Sequence, residues 1–244
     1  LTYSRFQERG EPVSHNLWLA SYHGEHANGI RWDLTGFSVP DVLSGITAEV
    51  NTAVDFESYR IHIGVRHMRQ FDDGAGAIGG AALNGEVNRD NPGNYSDPES
   101  LESSLTAVRI AMEPSSSVYQ LQLGYSAVAD EADFLAPWRG FPTGGYTRAM
   151  GQYNWLANTR SYMLQLKWNL AKAGWVRGLS ATARYAIMDF DDAKGYHDRD
   201  ILHVDLTYKP PYASNMEHKF RIGIVDDEGS KSYQDLRFET NILF

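Results

Sequence analysis

Along most of this chain apolar and polar residues alternate one by one. From Ser161 to Leu170, the side chains of Tyr162, Leu164, Leu166, Trp168 and Leu170 fall on one face, and Ser161, Met163, Gln165, Lys167 and Asn169 on the other. A period of two is the mark of a strand with two unlike surroundings. The pattern recurs at Leu179–Ile187, Leu202–Lys209 and Lys219–Ile224, and earlier at Ile46–Phe56, Tyr59–Arg66, Val108–Glu113 and Tyr119–Ser126. Weaker stretches lie near 14–23 and 29–35, and Thr147–Trp155 also looks strand-like. With their flanks the segments run to about 10–13 residues, enough at ~3.3 Å per residue and a tilt near 45° to cross a bilayer core. Strands of water-soluble proteins average only about 5–6 residues. A large soluble β-sandwich would alternate too, but with shorter strands and its polar face outward. The pattern therefore predicts an all-β fold, an antiparallel transmembrane β-barrel, as a single domain over residues 1–244.

The last ten residues sharpen this expectation. Counting back from Phe244 in twos gives Ile242, Thr240, Phe238 and Leu236, against Asn241, Glu239 and Arg237. A closing strand of this kind looks like the signal that outer-membrane barrels present to their assembly machinery, with Phe244, Ile242 and Phe238 as its apolar side chains. If Phe244 sits at the periplasmic rim, long outside loops fall near 71–103 and 131–159. The segments 57–58, 114–117, 173–178 and 210–215 become short periplasmic turns, as such barrels show. The count reaches about eleven or twelve strands (Leu1–Arg9 is a further candidate), whereas bacterial single-chain barrels normally have an even number. The odd count, a chain beginning with Leu and the lack of a visible leader lead to the expectation that N-terminal strands precede this sequence.

Composition narrows the function classes. No run of about 18 apolar residues exists, so helices do not cross a membrane here. A mean hydropathy of −0.43 with 42% hydrophobic residues suits a barrel whose strands alternate lipid-facing and lumen-facing positions. There are no cysteines, which excludes disulfides, thiolate catalysis and cysteine-based zinc sites. Aromatic residues are plentiful, with 14 Tyr, 10 Phe and 6 Trp. A formal net charge of −9 argues against nucleic acid as a partner.

From about Glu131 onward the chain resembles the C-terminal part of the OprD-like porins and the related major outer-membrane porins of campylobacter-type bacteria. The resemblance is carried by the loop ending Tyr153-Asn154-Trp155-Leu156-Ala157-Asn158, the strand Ser161–Leu170, the turn Ala173–Gly178, Ser180–Phe190 leading into Asp191 and Asp192, Leu202–Tyr208, and the terminal strand. It implies a bacterial outer-membrane location among lipid and lipopolysaccharide, a barrel of 16–18 strands, a homotrimer, and passive diffusion of small hydrophilic solutes and ions past an inward-folded loop. It also implies a ladder of arginines that guides carboxylate groups through the pore.

The alternation names the residues that would line such a pore: Arg60, Arg66, Arg109, Arg184, Lys167 and Arg221, with Glu49, Asp55, Glu113 and Asp205. Arg237 and Glu239 share that face. Fixed charges in a low-dielectric wall can steer ions. The plainer reading is that both signs pair across strands and keep the lumen wet. Acidic residues also crowd the loops, at Asp72, Asp73, Asp97, Glu99, Glu102, Asp189, Asp191, Asp192, Asp226, Asp227 and Glu228. Their chemistry suits Ca²⁺, yet the spacing matches no EF-hand, and solvated loop charge is the simpler expectation. No other cofactor, metal site or catalytic residue is expected. Gly74–Gly79 fits GxGxxG without a βαβ unit and is read as a flexible loop, and His23–His26 as a turn. The alternatives to a diffusion channel are a structural or adhesive barrel with a filled lumen and, further off, a barrel enzyme.

Overall fold

The alternating segments become eleven strands of one antiparallel sheet. The computed structural model describes residues 10–11, 16–82, 94–134, 145–150, 155–213 and 215–242. The strands are β1 (Trp18–Glu25), β2 (Arg31–Val39), β3 (Leu43–Asp55), β4 (Tyr59–Asp72), β5 (Ser103–Pro114) and β6 (Tyr119–Val128). They continue with β7 (Arg160–Trp168), β8 (Leu179–Asp189), β9 (Arg199–Tyr208), β10 (Met216–Asp227) and β11 (Tyr233–Ile242). Each strand pairs only with its neighbours in sequence, in the order β1 to β11, and β1 and β11 pair on one side only among the described residues.

The faint patterns near 14–23 and 29–35 are real strands, displaced a few residues toward the C-terminus. Thr147–Trp155 is not a strand where it is described. Gly145–Thr147 is a turn of 3₁₀ helix, and no ladder continues from it through Met150. Gly74–Gly79 is not a slack loop either. Gly76–Gly79 forms one helical turn, and the buried Ala75 packs with Val39, Val42, Leu43 and Leu101. Leu1–Arg9, Tyr153, Asn154 and Phe244 lie outside the described residues.

One face of the sheet is apolar and open. Leu123 is 56% exposed, Leu236 62% and Phe238 69%, and they continue a field that includes Ile46, Val50, Ile63, Ile110, Leu164, Tyr185 and Leu206. Folded proteins in water rarely leave a contiguous apolar patch of more than a few hundred Å². An apolar exterior is what a sheet immersed in hydrocarbon requires. The opposite face is polar toward one end of the sheet and covered toward the other.

The two ends differ in their connections. At one end lie the turns 26–30, 56–58, 115–118, 169–178 and 209–215. At the other lie 40–42, 190–198 and 228–232 and the two long connections, 73–102 and 129–159. Near that long-loop end the positions that share the parity of the polar face turn apolar: Met68, Leu105, Met163, Met188, Ile201 and Val225 are all buried. They are covered by Phe134, Tyr146, Leu156 and Phe190 from the connecting segments.

The long connections interlock. Asp72 Oδ1 accepts the amides of Gly74 (2.8 Å) and Gly76 (3.0 Å), and its Oδ2 accepts that of Leu101 (3.0 Å). Asp133 is wholly buried and accepts the Tyr95 hydroxyl at 2.9 Å, the Ala157 amide at 2.8 Å and the Tyr196 hydroxyl at 3.4 Å. Burial and the Asp133 charge push the Tyr95 and Tyr196 phenols above their ordinary range. Lys194 is clasped by Asp130 at 2.5 Å and Asp191 at 2.8 Å. Several loop carboxylates expected to be merely solvated therefore hold backbone and side-chain donors, because a buried loop amide must find an acceptor.

Candidate functional site: the polar face and its inserted loop

The polar face carries two charged clusters, one on β3–β5 and one on β7–β11. In the first, Glu49 and Arg66 are direct cross-strand partners. The Arg66 Nε donates to Glu49 Oε2 at 2.6 Å, and Asn51 Nδ2 donates to Glu49 Oε1 at 2.7 Å. Arg109 Nη2 donates to Asn51 Oδ1 at 2.7 Å, while its Nε is buried with no hydrogen-bond partner among the described residues. In the second cluster, Asp205 is the hub, its side chain only 9% exposed. It accepts from Arg184 Nη1 at 2.8 Å and from Arg221 Nε at 2.8 Å, and Arg221 Nη1 reaches Glu239 at 3.2 Å. Arg184 Nε also donates to Gln165 at 2.8 Å.

A short piece of the 129–159 connection, residues 145–150, lies on this face and touches both clusters. The Tyr146 hydroxyl donates to Glu49 Oε1 at 2.8 Å. The Arg109 guanidinium stands 4.6 Å from the Tyr146 ring centre and that of Arg66 5.6 Å, within the range of cation–π attraction. Burial and the hydrogen bond to Glu49 raise the Tyr146 phenol above its ordinary value, so it stays a donor. Thr147 and Ser126 hydroxyls meet at 2.7 Å. The Met150 amide donates to His203 Nδ1 at 3.2 Å, which leaves the ring proton on Nε2, facing Asp205 Oδ1 at 2.8 Å.

Small residues make room for the segment. Gly64, Ala107, Gly124, Ser126 and Ser161 occupy adjoining positions on β4–β7. A Cβ on Gly124 would lie 2.7 Å from the Tyr146 carbonyl oxygen, and one on Gly64 2.7 Å from the Tyr146 hydroxyl. The first contact is with backbone, which cannot give way, and the second with the tip of a side chain; glycine inside a strand often marks a place where another backbone approaches, as at Gly124.

The residues named from the alternation thus divide. Glu49, Arg66 and Arg109 gather in the first cluster, and Arg184, Asp205 and Arg221 in the second. Asp55 and Arg60 form an exposed pair near the short-turn end. Glu113 sits close by, 3.3 Å from Gln120 Nε2 and 3.4 Å from His62 Nε2. Lys167 has no carboxylate within 4 Å among the described residues, and neither has Arg109. Most of the other named cations pair with a carboxylate across strands, and these two do not among the described residues. Tyr146, Asn51, Gln165 and His203 were not among the named residues. The in-strand glycines Gly64 and Gly124, which alternation does not explain, were the available signal for the inserted segment. Among the described residues no group of three or more His, Asp or Glu side chains could hold a metal ion.

Known structures share this architecture. OccAB4 of Acinetobacter baumannii superposes with a TM-score of 0.73 at 13% identity, over 94% of this chain and 53% of that one. OccK9 (OpdG) of Pseudomonas aeruginosa gives 0.73 at 17%, over 96% and 57%. OpdK of the same organism, solved with vanillate, gives 0.70 at 13%, over 93% and 56%. No family model and no curated protein matches the chain. At such identities the likeness is one of fold. The chain has the antiparallel β-barrel fold of the OprD/Occ outer-membrane channel proteins, and it spans a little over half the length of those it matches.

Proposed function

We propose that this chain forms part of an outer-membrane channel for passive diffusion of small hydrophilic solutes and ions. The observation that carries the reading is the contrast between the two faces. An open apolar surface runs over the strands on one side, and a network of arginines, carboxylates and amides on the other. A water-filled pore bounded by lipid needs that division. The open sides of β1 and β11 would leave unpaired backbone groups in hydrocarbon, so in the working pore further strands complete the sheet. Phe238 and Ile242 are exposed on the apolar face of the last strand, where assembly machinery and then lipid would meet them.

The polar face is the pore wall in this reading, the long connections face outward, and residues 145–150 narrow the passage. Arg60, Arg66, Arg109, Arg184, Lys167 and Arg221 form the cationic track, and Arg109 and Lys167, without carboxylate partners among the described residues, are its effective charges. Vanillate, the molecule solved with OpdK, is a carboxylate, which suits such a track. Lipopolysaccharide contact and a homotrimer belong to the same reading. Planar-bilayer recording on the folded full-length protein tests it. Stepwise currents are expected, and silence from folded protein would instead favour a structural barrel with a filled lumen.

A further inference from the structure

One ring nitrogen holds the far end of the inserted segment. His203 is buried on the polar face of β9. Its Nδ1 takes two donors, the Met150 amide at 3.2 Å and Arg184 Nη1 at 3.2 Å. Neither donor can accept a hydrogen bond, so Nδ1 must keep its lone pair for this arrangement to exist. The other nitrogen, Nε2, faces Asp205 Oδ1 at 2.8 Å. At the near end of the segment, the bonds from Tyr146 to Glu49 and between Thr147 and Ser126 do not involve the imidazole.

The charges around the ring pull both ways. Arg184 on β8 stands directly opposite His203, and Arg221 on β10 reaches Asp205 beside it; both oppose a second proton on the ring. Asp205 on β9 favours one, and so does Asp235, which lies in the same row on β11 beyond Gly223 of β10. The inserted segment brings Met150 to the ring, while its charged side chain, Arg148, is exposed. Histidine is the side chain whose charge ordinarily changes in mildly acid water. We propose that His203 is the positioning residue of the inserted segment and a proton-operated catch. With the ring neutral, Nδ1 holds the Met150 amide and the segment is seated. A proton taken from water onto Nδ1 sets one N–H against two others. The Met150 bond breaks, the new charge is matched by Asp205, and the far end of the segment leaves the wall, so the passage widens in acid. The proposal rests on the reading of this chain as a diffusion channel.

The full-length protein is recorded in planar bilayers at about pH 7.5 and about pH 5, a span that crosses the ordinary titration of histidine and stays above that of carboxylates. In wild type, the ratio of time spent at the larger conductance level to that at the smaller is expected to rise roughly fivefold in acid, the weight of one hydrogen bond. His203→Asn leaves an acceptor near the place of Nδ1 and no group that titrates in this span, so the response is expected to vanish. His203→Ala removes the acceptor and is expected to favour the larger level at both pH values. A covalent lock tests the same movement with His203 intact. The chain has no cysteine, and a Cβ on Gly223 would lie 3.5 Å from the Met150 Cβ, a separation that a disulfide spans. The pair Met150→Cys and Gly223→Cys is expected to lose the acid response when oxidised and to regain it when reduced. A response that persists in His203→Asn or in the oxidised pair overturns the proposal, as does a wild type that conducts alike at both pH values. A silent wild type overturns the channel reading beneath it.

Discussion

The two charged clusters of the polar face are built from similar parts and reach different balances. Around Tyr146, the two guanidinium groups of Arg66 and Arg109 face the single carboxylate of Glu49, and Asn51 supplies the remaining acceptor. Around His203, the two guanidinium groups of Arg184 and Arg221 face the two carboxylates of Asp205 and Glu239, and the imidazole is a neutral link. The first cluster keeps a positive charge and the second cancels. The inserted segment is tied to the first through a side-chain hydroxyl and to the second through a backbone amide. One cluster thus keeps a net charge where the other is balanced, and a count of arginines on the polar face does not distinguish them.

The largest effect should come from breaking the balanced cluster. Asp205→Ala leaves two guanidinium groups and the His203 ring without their shared acceptor. The expected loss is about 3–5 kcal/mol of stability, the usual result of stranding buried charges. Urea unfolding of the protein in detergent would measure it, and a loss below that of Glu49→Gln would undo the assignment of Asp205 as the hub.

Next comes the seat of the inserted segment. Gly124→Val puts atoms where the Tyr146 carbonyl stands, and backbone cannot swing aside as a side-chain tip can. Overpacking of about 1–3 kcal/mol is expected, together with a larger single-channel conductance as the segment is displaced. Gly223→Val should do less, because its Cβ would lie 2.9 Å from the flexible end of Met150. Equal conductance changes in the two variants would remove the distinction drawn between the clusters.

Tyr146→Phe deletes the hydroxyl that donates to Glu49 at 2.8 Å and lies 3.3 Å from Asn51 Oδ1, and it keeps the ring beside Arg109. It should cost about 1 kcal/mol, and a double-mutant cycle with Glu49→Gln should show that the two changes do not add.

The smallest effect lies outside both clusters, in the Lys194 clasp. Burial alone would raise the Asp191 carboxyl, but hydrogen bonds from Asn158, Lys194 and the Ala193 amide outweigh it and hold it below its ordinary 3.8. Burial alone would lower Lys194, but Asp130 and Asp191 raise it above 10.5. The lowered carboxyl stabilises the fold above pH 3.8 and ceases to do so as pH falls through its folded value. The raised ammonium stabilises below pH 10.5 and ceases to do so as pH rises through its own. Proteolysis of the loops at this clasp should therefore be flat across the neutral range and increase only in acid below pH 3.8 or in strong base above pH 10.5. A rise near neutral pH would show that another group governs the loops.

Much of the fold was legible because alternation is a local property. Each of Tyr162, Leu164, Leu166 and Trp168 has its face fixed by its neighbours, and the structure exposes all four on the apolar side. The placement of the charges on the polar face followed from the same parity. The inserted segment did not, because its apolar and aromatic residues between Thr147 and Trp155 mimic a strand, and its docking depends on residues far away in sequence. Tyr146 meets Glu49 across nearly a hundred positions. Two signals did point to it in hindsight. Glycines interrupt strands that otherwise favour branched and aromatic residues, and Met163, Met188 and Val225 place apolar side chains on the polar parity. The pairing of individual arginines was also hidden, since parity assigns a side chain to a face and says nothing of its partner.

The meander itself implies an order in time. Every strand pairs with the next, so joining two strands requires closing only the connection between them. For β3 with β4 that connection is residues 56–58, and for β5 with β6 it is 115–118. For β4 with β5 and β6 with β7 it is 73–102 and 129–159. Closing a tenfold longer loop costs about 2 kcal/mol more in chain entropy. The short-turn hairpins are therefore the units that form first, and the long connections decide when those hairpins join.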